Sequence, residues 1–327
     1  MNFFSDAVDV HENLHNELKQ EVASYRSLAF AESTKKTYKS HLNSYLDFCD
    51  KMDILPVPAS EETIASYAAF LARRLKPTSV RQYLNIVRVM HLECGESHPY
   101  KDSWLVKSTL KGIERAKGCE PNRKTPILPQ TLFVIKDKLD FSLANDVIFW
   151  AACIVMFFGL LRKSNLFQEN GDFDENKQLT IDCFSFENNS INLDIRWSKT
   201  IQCKEKVVNI KLPRLSGHPL CPYTAVQTLF DRHRDKSPRA QAFPIKGSYF
   251  NRRLRSLTKD CPGDFSSHSF RRGGATWALM SGIPEAVIKL LGDWSSDCYL
   301  RYLDQLPSTV LNKYRHKFAL NIPPNIE

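Results

Sequence analysis

Several features that would direct an interpretation are missing from this chain. Its nine cysteines include no Cys-x-x-Cys pair and no spacing typical of a disulfide framework. That points to reduced thiols in an intracellular compartment rather than to a stapled secreted module. No internal repeat or low-complexity tract is visible. The opening stretch, MNFFSDAVDVHENLHNELKQ, is acidic and polar and does not resemble a signal peptide. One strongly apolar run exists, from Val147 to Leu161 between Asp146 and Arg162. It is shorter than the ~20 residues needed to cross a bilayer, so it reads as a buried core helix.

What is present is ordinary in bulk and biased in charge. The 327 residues (37.6 kDa) suffice for two domains, each able to bury a core. A hydrophobic content of 43% and a charged content of 25% are those of a soluble protein. The formal charge of +9 and pI near 9.0 favour a polyanionic partner, most simply nucleic acid. A basic solvated surface is the plain alternative.

Periodicity divides the chain. Residues 1–24 are polar and weakly periodic and read as a loose N-terminal segment. A helical pattern follows Ser33 and Thr34, whose hydroxyls are candidate caps, and runs through Tyr38, Leu42, Tyr45, Leu46 and Cys49. Ser60 with Glu61 and Glu62 opens a second helix, and Lys76-Pro77-Thr78 a third. A fourth surrounds Trp104 to Ala116. Residues 25–116 thus read as an all-helical domain with basic faces. Those faces carry Lys35, Lys36 and Lys39; Arg81, Asn85 and Arg88; and Lys107, Lys111 and Arg115. They are candidate DNA contacts, with Arg81, Asn85 and Arg88 the first choice for entering a groove; solvated faces are the alternative.

Residues 117–129 read as a linker, polar, basic and broken by proline and glycine. In residues 130–327 helices reach about Arg162. Then Leu179–Glu187, Ile191–Ser198 and Val207–Pro213 take the alternation of strands. Lys199 falls at a strand-to-strand turn. Helices return from Pro222, and a last apolar-periodic segment contains Val310, Leu311, Tyr314 and Phe318. The fold class expected is mainly α with a small β-sheet (α+β).

Six residues carry the chemistry: Arg162, Lys199, His268, Arg271, Trp294 and Tyr302. Two guanidiniums neutralise non-bridging phosphate oxygens, a phenol attacks phosphorus, and an ammonium protonates the departing sugar oxygen. Each has a plainer reading when taken alone. Arg162, at the end of the apolar helix, suits an internal ion pair; Lys199 suits an exposed hairpin; Trp294 suits a core anchor. His268 and Arg271, at i and i+3 of a helix start, share one face, with Ser266 and Ser267 as caps. Gly273 and Gly274 then permit a close backbone approach. Tyr299 is the rival nucleophile, since spacing alone does not choose between it and Tyr302.

The segments Gly159-Leu160-Leu161-Arg162-Lys163-Ser164-Asn165-Leu166, His268-Ser269-Phe270-Arg271-Arg272-Gly273-Gly274 and Gly292-Asp293-Trp294 through Tyr302, with Lys199, resemble the tyrosine recombinases (phage-integrase family). The likeness is strongest to the eukaryotic mobile-element recombinases of Crypton and DIRS type and covers roughly residues 25–320. It implies a helical core-binding domain and a mixed catalytic domain that clamp duplex DNA. It also implies a 3′-phosphotyrosyl intermediate on Tyr302, no cofactor or metal, homo-tetramers on paired sites and, for a eukaryotic element, a nuclear location. In that likeness Arg162 and Arg271 clamp the phosphate and Lys199 is the general acid. His268 assists proton transfer and Trp294 donates to a phosphate oxygen. Many members carry histidine where Trp294 stands, and an acidic residue where Asn165 stands. The segment from Val310 to Phe318 is the candidate for exchange between subunits. Alternatives are a domesticated DNA-binding protein without catalysis, a type IB topoisomerase-like activity, and metal binding by His91, Cys94 and His98, three ligands being too few for a closed zinc site.

Overall fold

The computed structural model describes residues 3–118, 124–168, 172–198, 207–294 and 296–300, with side chains from Leu14 onward. Two compact units divide the chain, Met1–Asn122 and Arg123–Glu327.

In the first unit, apolar residues three and four apart form helices that polar caps and prolines delimit. The helices are α1 (Phe3–Leu28), α2 (Glu32–Met52), α3 (Glu61–Ala72), α4 (Pro77–Glu93) and α5 (Trp104–Lys117). Ser60 Oγ accepts from the Thr63 N–H at 3.2 Å and Ser103 Oγ from the Val106 N–H at 3.1 Å, which caps α3 and α5. Pro77 opens α4, where its missing N–H costs nothing. Tyr45, Phe48, Ile64, Tyr67, Leu84, Val87, Val106 and Leu110 meet in one core. Each such side chain contributes roughly 1.5–3 kcal/mol of burial. The two buried phenols are satisfied: Tyr45 donates to the Pro56 carbonyl (3.0 Å) and Tyr67 to Ser44 Oγ (3.2 Å).

Two local expectations are corrected here. The opening residues, read as loose, include helix α1; its described apolar side chains, Leu14, Leu18, Val22, Tyr25 and Leu28, are exposed, so packing left little mark on the sequence. Helix α2 starts one residue before Ser33, behind Ala31, and neither Ser33 nor Thr34 caps it.

The second unit is built round α7 (Ala144–Phe158), buried from Asp146 to Phe157. It follows α6 (Pro129–Asp137) and precedes the single turn α8 (Lys163–Leu166). An antiparallel sheet comes next: β1 (Phe184–Phe186), β2 (Ser190–Ile195) and β3 (Val208–Pro213), in that order. The first strand is shorter than its apolar pattern, because Ile181–Cys183 form a 3-10 turn. In β2 and β3, Ile191 pairs with Leu212 and Leu193 with Ile210, which sets Ile191, Leu193 and Leu212 on the core face. Then follow α9 (Pro222–Asp231), α10 (Gly247–Leu257), α11 (His268–Met280) and α12 (Glu285–Leu291), with a 3-10 turn at Asp297–Tyr299. The molecule is mainly α with a small antiparallel sheet. Among the described residues, no helix is long and apolar enough to cross a membrane. The segment from Val310 to Phe318 lies outside the described residues.

Candidate active site

Helix α7 ends in a tight turn because Leu160 takes a left-handed backbone (φ 50°). For a residue with a side chain this costs about 1–2 kcal/mol. The turn aims the Leu160 carbonyl at α11, where Arg271 Nη1 donates to it. A second left-handed residue, Asp293 (φ 48°), follows Gly292, whose carbonyl accepts from Arg271 Nη2 at 2.7 Å. The guanidinium carbon lies 4.1 Å from the centroid of the Trp294 ring, a cation–π contact. Arg271 is 3% exposed. It is therefore fixed by two carbonyls and an aromatic face, each set in place by an unusual local backbone.

Glycine makes this close approach possible. A Cβ on Gly292 would lie 1.8 Å from the Trp294 ring. On α11, a Cβ on Gly273 would lie 1.8 Å from the Ile127 carbonyl oxygen, and one on Gly274 2.2 Å from that of Phe157. The close approach expected of Gly273 and Gly274 is thus made by other stretches of this chain's own backbone, which set α11 against α7.

Arg162 follows the same turn and lines one small cleft with Arg271, Asn165, Ser198, Gly292 and Asp293. Asn165, 3% exposed, holds its start: the Arg162 N–H donates to Asn165 Oδ1 at 3.1 Å. Asn165 Nδ2 donates to the Trp197 carbonyl at 2.9 Å, two residues past the end of β2.

His268 is the first residue of α11, three before Arg271. Its cap differs from expectation. Ser267 makes no side-chain cap, and the Ser266 N–H donates instead to Ser269 Oγ at 3.0 Å. Desolvation by the surrounding protein, then the charges of Arg271, Arg272 and Arg162, push His268 down to about 4. The residue keeps an exposed side, so the guanidiniums are the sturdier cause. At neutral pH the imidazole is neutral, able to accept a proton or donate one N–H.

Trp294, 5% exposed, packs with Leu160, Ala275, Ala278, Ile288 and Tyr299. Its ring face supports Arg271, a use of the indole that the residue's N–H did not suggest. Tyr299 is buried beside it, ring centroids 5.9 Å apart. Lys199 and Tyr302 lie outside the described residues. By sequence, Lys199 belongs to the connection between β2 and β3, two residues after Trp197.

In the first unit the basic faces are partly engaged. Arg81 pairs with Glu114 at 2.7 Å, and Lys111 approaches the same carboxylate at 3.5 Å. Lys35 pairs with Glu32 at 2.6 Å. Asn85 donates to the Tyr38 hydroxyl (3.2 Å) and accepts from Arg88 (3.1 Å). Lys36, Lys39, Lys107 and Arg115 are exposed. His91 holds its own helix and the preceding loop: its Nδ1 meets the Val87 carbonyl (2.7 Å) and its Nε2 accepts from the Ala59 N–H (2.8 Å). Both nitrogens are used, which overturns the reading of His91 with Cys94 and His98 as ligands. Among the described residues no group of three or more histidine, cysteine or acidic side chains is placed to hold a metal.

A further basic row escaped the sequence reading. Helix α10 buries Phe250, Leu254 and Leu257 and exposes Arg252 and Arg255, with Lys246 at its start. Asn251 Oδ1 accepts from the Ser267 N–H at 3.3 Å, which links this helix to the start of α11. The signal was present, as two arginines three apart opposite an apolar stripe.

No family model matches the chain. An integrase/recombinase XerD homologue from Selenomonas ruminantium is 30% identical over 139 residues, 42% of this chain and 40% of that protein. The match therefore spans less than half of that relative's length. Among solved structures, the Tn1549 transposon integrase in complex with transposon right end DNA shares 14% identity over 91% of this chain and 98% of that one, with a TM-score of 0.59. The XerH site-specific recombinase bound to palindromic difH substrate shares 15% over 88% and 79%, with a TM-score of 0.59. A lambda integrase dimer bound to a COC′ core site shares 15% over 96% and 98%, with a TM-score of 0.56. The chain thus shares the fold of these integrase and recombinase structures, and one stretch of it is similar in sequence to the XerD homologue.

Proposed function

We propose that this chain is a DNA strand transferase that cuts and rejoins duplex DNA through a 3′-phosphotyrosyl link, as the site-specific recombinase of a mobile element. The observation that carries the reading is Arg271. A guanidinium fixed by the Leu160 and Gly292 carbonyls over Trp294, in one cleft with Arg162, is a preorganised receptor for a phosphate in a trigonal-bipyramidal transition state. Neutral His268 at the same helix start is suited to moving a proton beside it.

In this reading the Tyr302 oxygen attacks phosphorus and the bond to the 5′ oxygen breaks. Lys199 supplies the proton that makes the leaving group a 5′-hydroxyl. Bond energy stays in the phosphotyrosyl ester, so a 5′-hydroxyl of another strand reverses the step without ATP or metal. Trp294 donates to a phosphate oxygen from its N–H edge. Burial of Tyr299 against Trp294 supports Tyr302 as the nucleophile.

Residues 25–116 act as the core-binding domain and residues 130–327 as the catalytic domain, with duplex DNA as partner. The exposed Lys36, Lys39, Lys107, Lys111 and Arg115 meet the phosphate backbone, joined by Lys35, Arg81, Asn85 and Arg88, and by Arg252 and Arg255 on α10. Homo-tetramers on paired sites complete the assembly. The motif likeness to Crypton and DIRS elements supports a eukaryotic mobile element and a nuclear setting.

The test is a denaturing gel for protein–DNA adducts on nicked duplexes from the DNA flanking the gene, with chelator present. Wild type and Tyr299→Phe give a covalent band, and Tyr302→Phe gives none while its DNA affinity stays within about twofold. DNA binding without adduct by any of the three would leave a binding-only protein as the better reading.

A further inference from the structure

We infer that a cleft between α6, α7 and α9 is a binding site for a small aromatic carboxylate, separate from the cleft that holds Arg162 and Arg271. Its occupancy lies beyond strand transfer and does not depend on it.

The cleft arises from unequal side-chain size. Helix α7 lines it with Val147 and Trp150, and α9 answers with Cys221 and Ala225, which share one face and are too small to fill the space. The open volume is about 470 Å³, within the ~300–1,000 Å³ typical of small-molecule sites. Phe141 meets the buried Trp150 edge to face, with ring centroids 6.4 Å apart and planes at 89°, and both rings line the cleft. Two rings at a right angle, with the small Ala225 beside them, make a slot suited to a flat aromatic group.

The polar side chains of the lining sort by what they can still donate. Cys221 Sγ accepts from the Leu215 N–H at 3.2 Å, and from Thr224 through its N–H at 3.5 Å and its hydroxyl. Thr228 Oγ1 gives its one proton to the Thr224 carbonyl at 2.8 Å. Two side-chain donors remain. Lys136 has no ion pair among the described residues, and no aspartate or glutamate lines the cleft. His218 Nδ1 accepts the Leu220 N–H at 3.1 Å, which puts the proton of the neutral ring on Nε2. Phe133, three residues before Lys136 on one face of α6, has its ring 6.2 Å from that of His218. The ammonium and the imidazole therefore belong to the same end of the cleft. A cation and an N–H donor, unbalanced by any acid and set beside an aromatic slot, call for an anionic head on a flat apolar body.

This cleft is apart from the other anion receptor of the unit. Along α7, Trp150 precedes the Leu160 turn by roughly 15 Å, and the lining of the Arg162 and Arg271 cleft shares no residue with it.

The experiment titrates the full chain, with its alanine, valine and leucine methyls labelled for NMR, with 2-naphthoate and in parallel with the neutral 2-naphthylmethanol. The expected result is saturable shifts at the Val147 and Ala225 methyls, with a Kd for naphthoate at or below about 1 mM. The alcohol should bind at least about fivefold more weakly. Lys136→Gln should weaken naphthoate by a similar factor and leave the alcohol unchanged, and Thr228→Trp, at the exposed rim, should block both. Shifts confined to Leu160 and Leu161 would put the anion in the arginine cleft and overturn the inference. Equal affinity for acid and alcohol, an unchanged Lys136→Gln, or no binding of either compound would also overturn it. So would loss of naphthoate from the Val147 and Ala225 methyls as protein concentration rises, which would make the cleft a seat for a second copy.

Discussion

His268 is a histidine that its surroundings keep uncharged at neutral pH. Desolvation and the neighbouring Arg271, Arg272 and Arg162 hold it at about 4, below the ordinary imidazole value. The unfolded chain takes up this proton below about pH 6.5, whereas the folded chain resists it until near pH 4. Stability therefore falls as pH drops through that window and levels off below it. Substituting His268→Asn should flatten this part of the pH–stability curve, by on the order of 1 kcal/mol once solvent screening at the exposed ring is allowed for. Urea midpoints measured from pH 7 to pH 4 check it; parallel curves for the two proteins would contradict it. Arg271 shows the complementary device, a permanent charge placed by two carbonyls rather than by a carboxylate.

At the scale of elements, α11 decides the site because its glycines let it lie against Ile127 and Phe157. Gly273→Ala should cost ~3 kcal/mol or more, since its methyl would overlap a backbone carbonyl that cannot swing aside. Gly112→Ala, in α5 with nothing within 4 Å of the new methyl, should stabilise by about 0.5–1 kcal/mol. Denaturant midpoints for the pair give the check; a neutral Gly273→Ala would mean that α11 has room to shift. Elements with a strong local signal were legible. The apolar run of α7 and the Ser60 cap follow from composition and spacing, whereas the Ser103 cap was not read. Helix α1 was missed because its exposed stripe is interrupted by polar residues, and the first strand was overextended because Ile181–Cys183 turn as a 3-10 helix before it begins. The Leu160 and Asp293 turns could not be read at all, since neither residue type favours a left-handed backbone enough to announce it.

The whole molecule carries a net charge of +9 over a surface where some cations are engaged and others are not. Arg81 shares Glu114 with Lys111, whereas Lys107 and Arg115 are exposed on the same helix as that glutamate. If these residues meet phosphates, Lys107→Ala and Arg115→Ala together should lower the slope of log affinity against log salt by about 1.8. Binding titrations between low and moderate salt measure it, and an unchanged slope would remove α5 from the DNA-facing surface. Of the site residues named from the sequence, Arg162, His268, Arg271 and Trp294 lie among the described residues, and Lys199 and Tyr302 do not. Arg162 and Arg271 come to one cleft, His268 lies beside Arg271, and the Trp294 ring carries the guanidinium. What holds them was not legible, because main-chain carbonyls leave no trace in a residue pattern, and neither does an amide bridging Arg162 to Trp197.

Strand transfer as proposed joins a tyrosine of this chain, Tyr302, to DNA. The chain lends itself to a direct test, because trypsin cuts after Lys289, Arg301 and Lys313 and so parts Tyr299 from Tyr302. Adduct formed on a nicked duplex without metal, digested with nuclease and trypsin, is read by mass spectrometry. Attack by Tyr302 leaves a nucleotide on the peptide that begins at Tyr302. A nucleotide on the peptide from Leu290 to Arg301, or on neither, would contradict it.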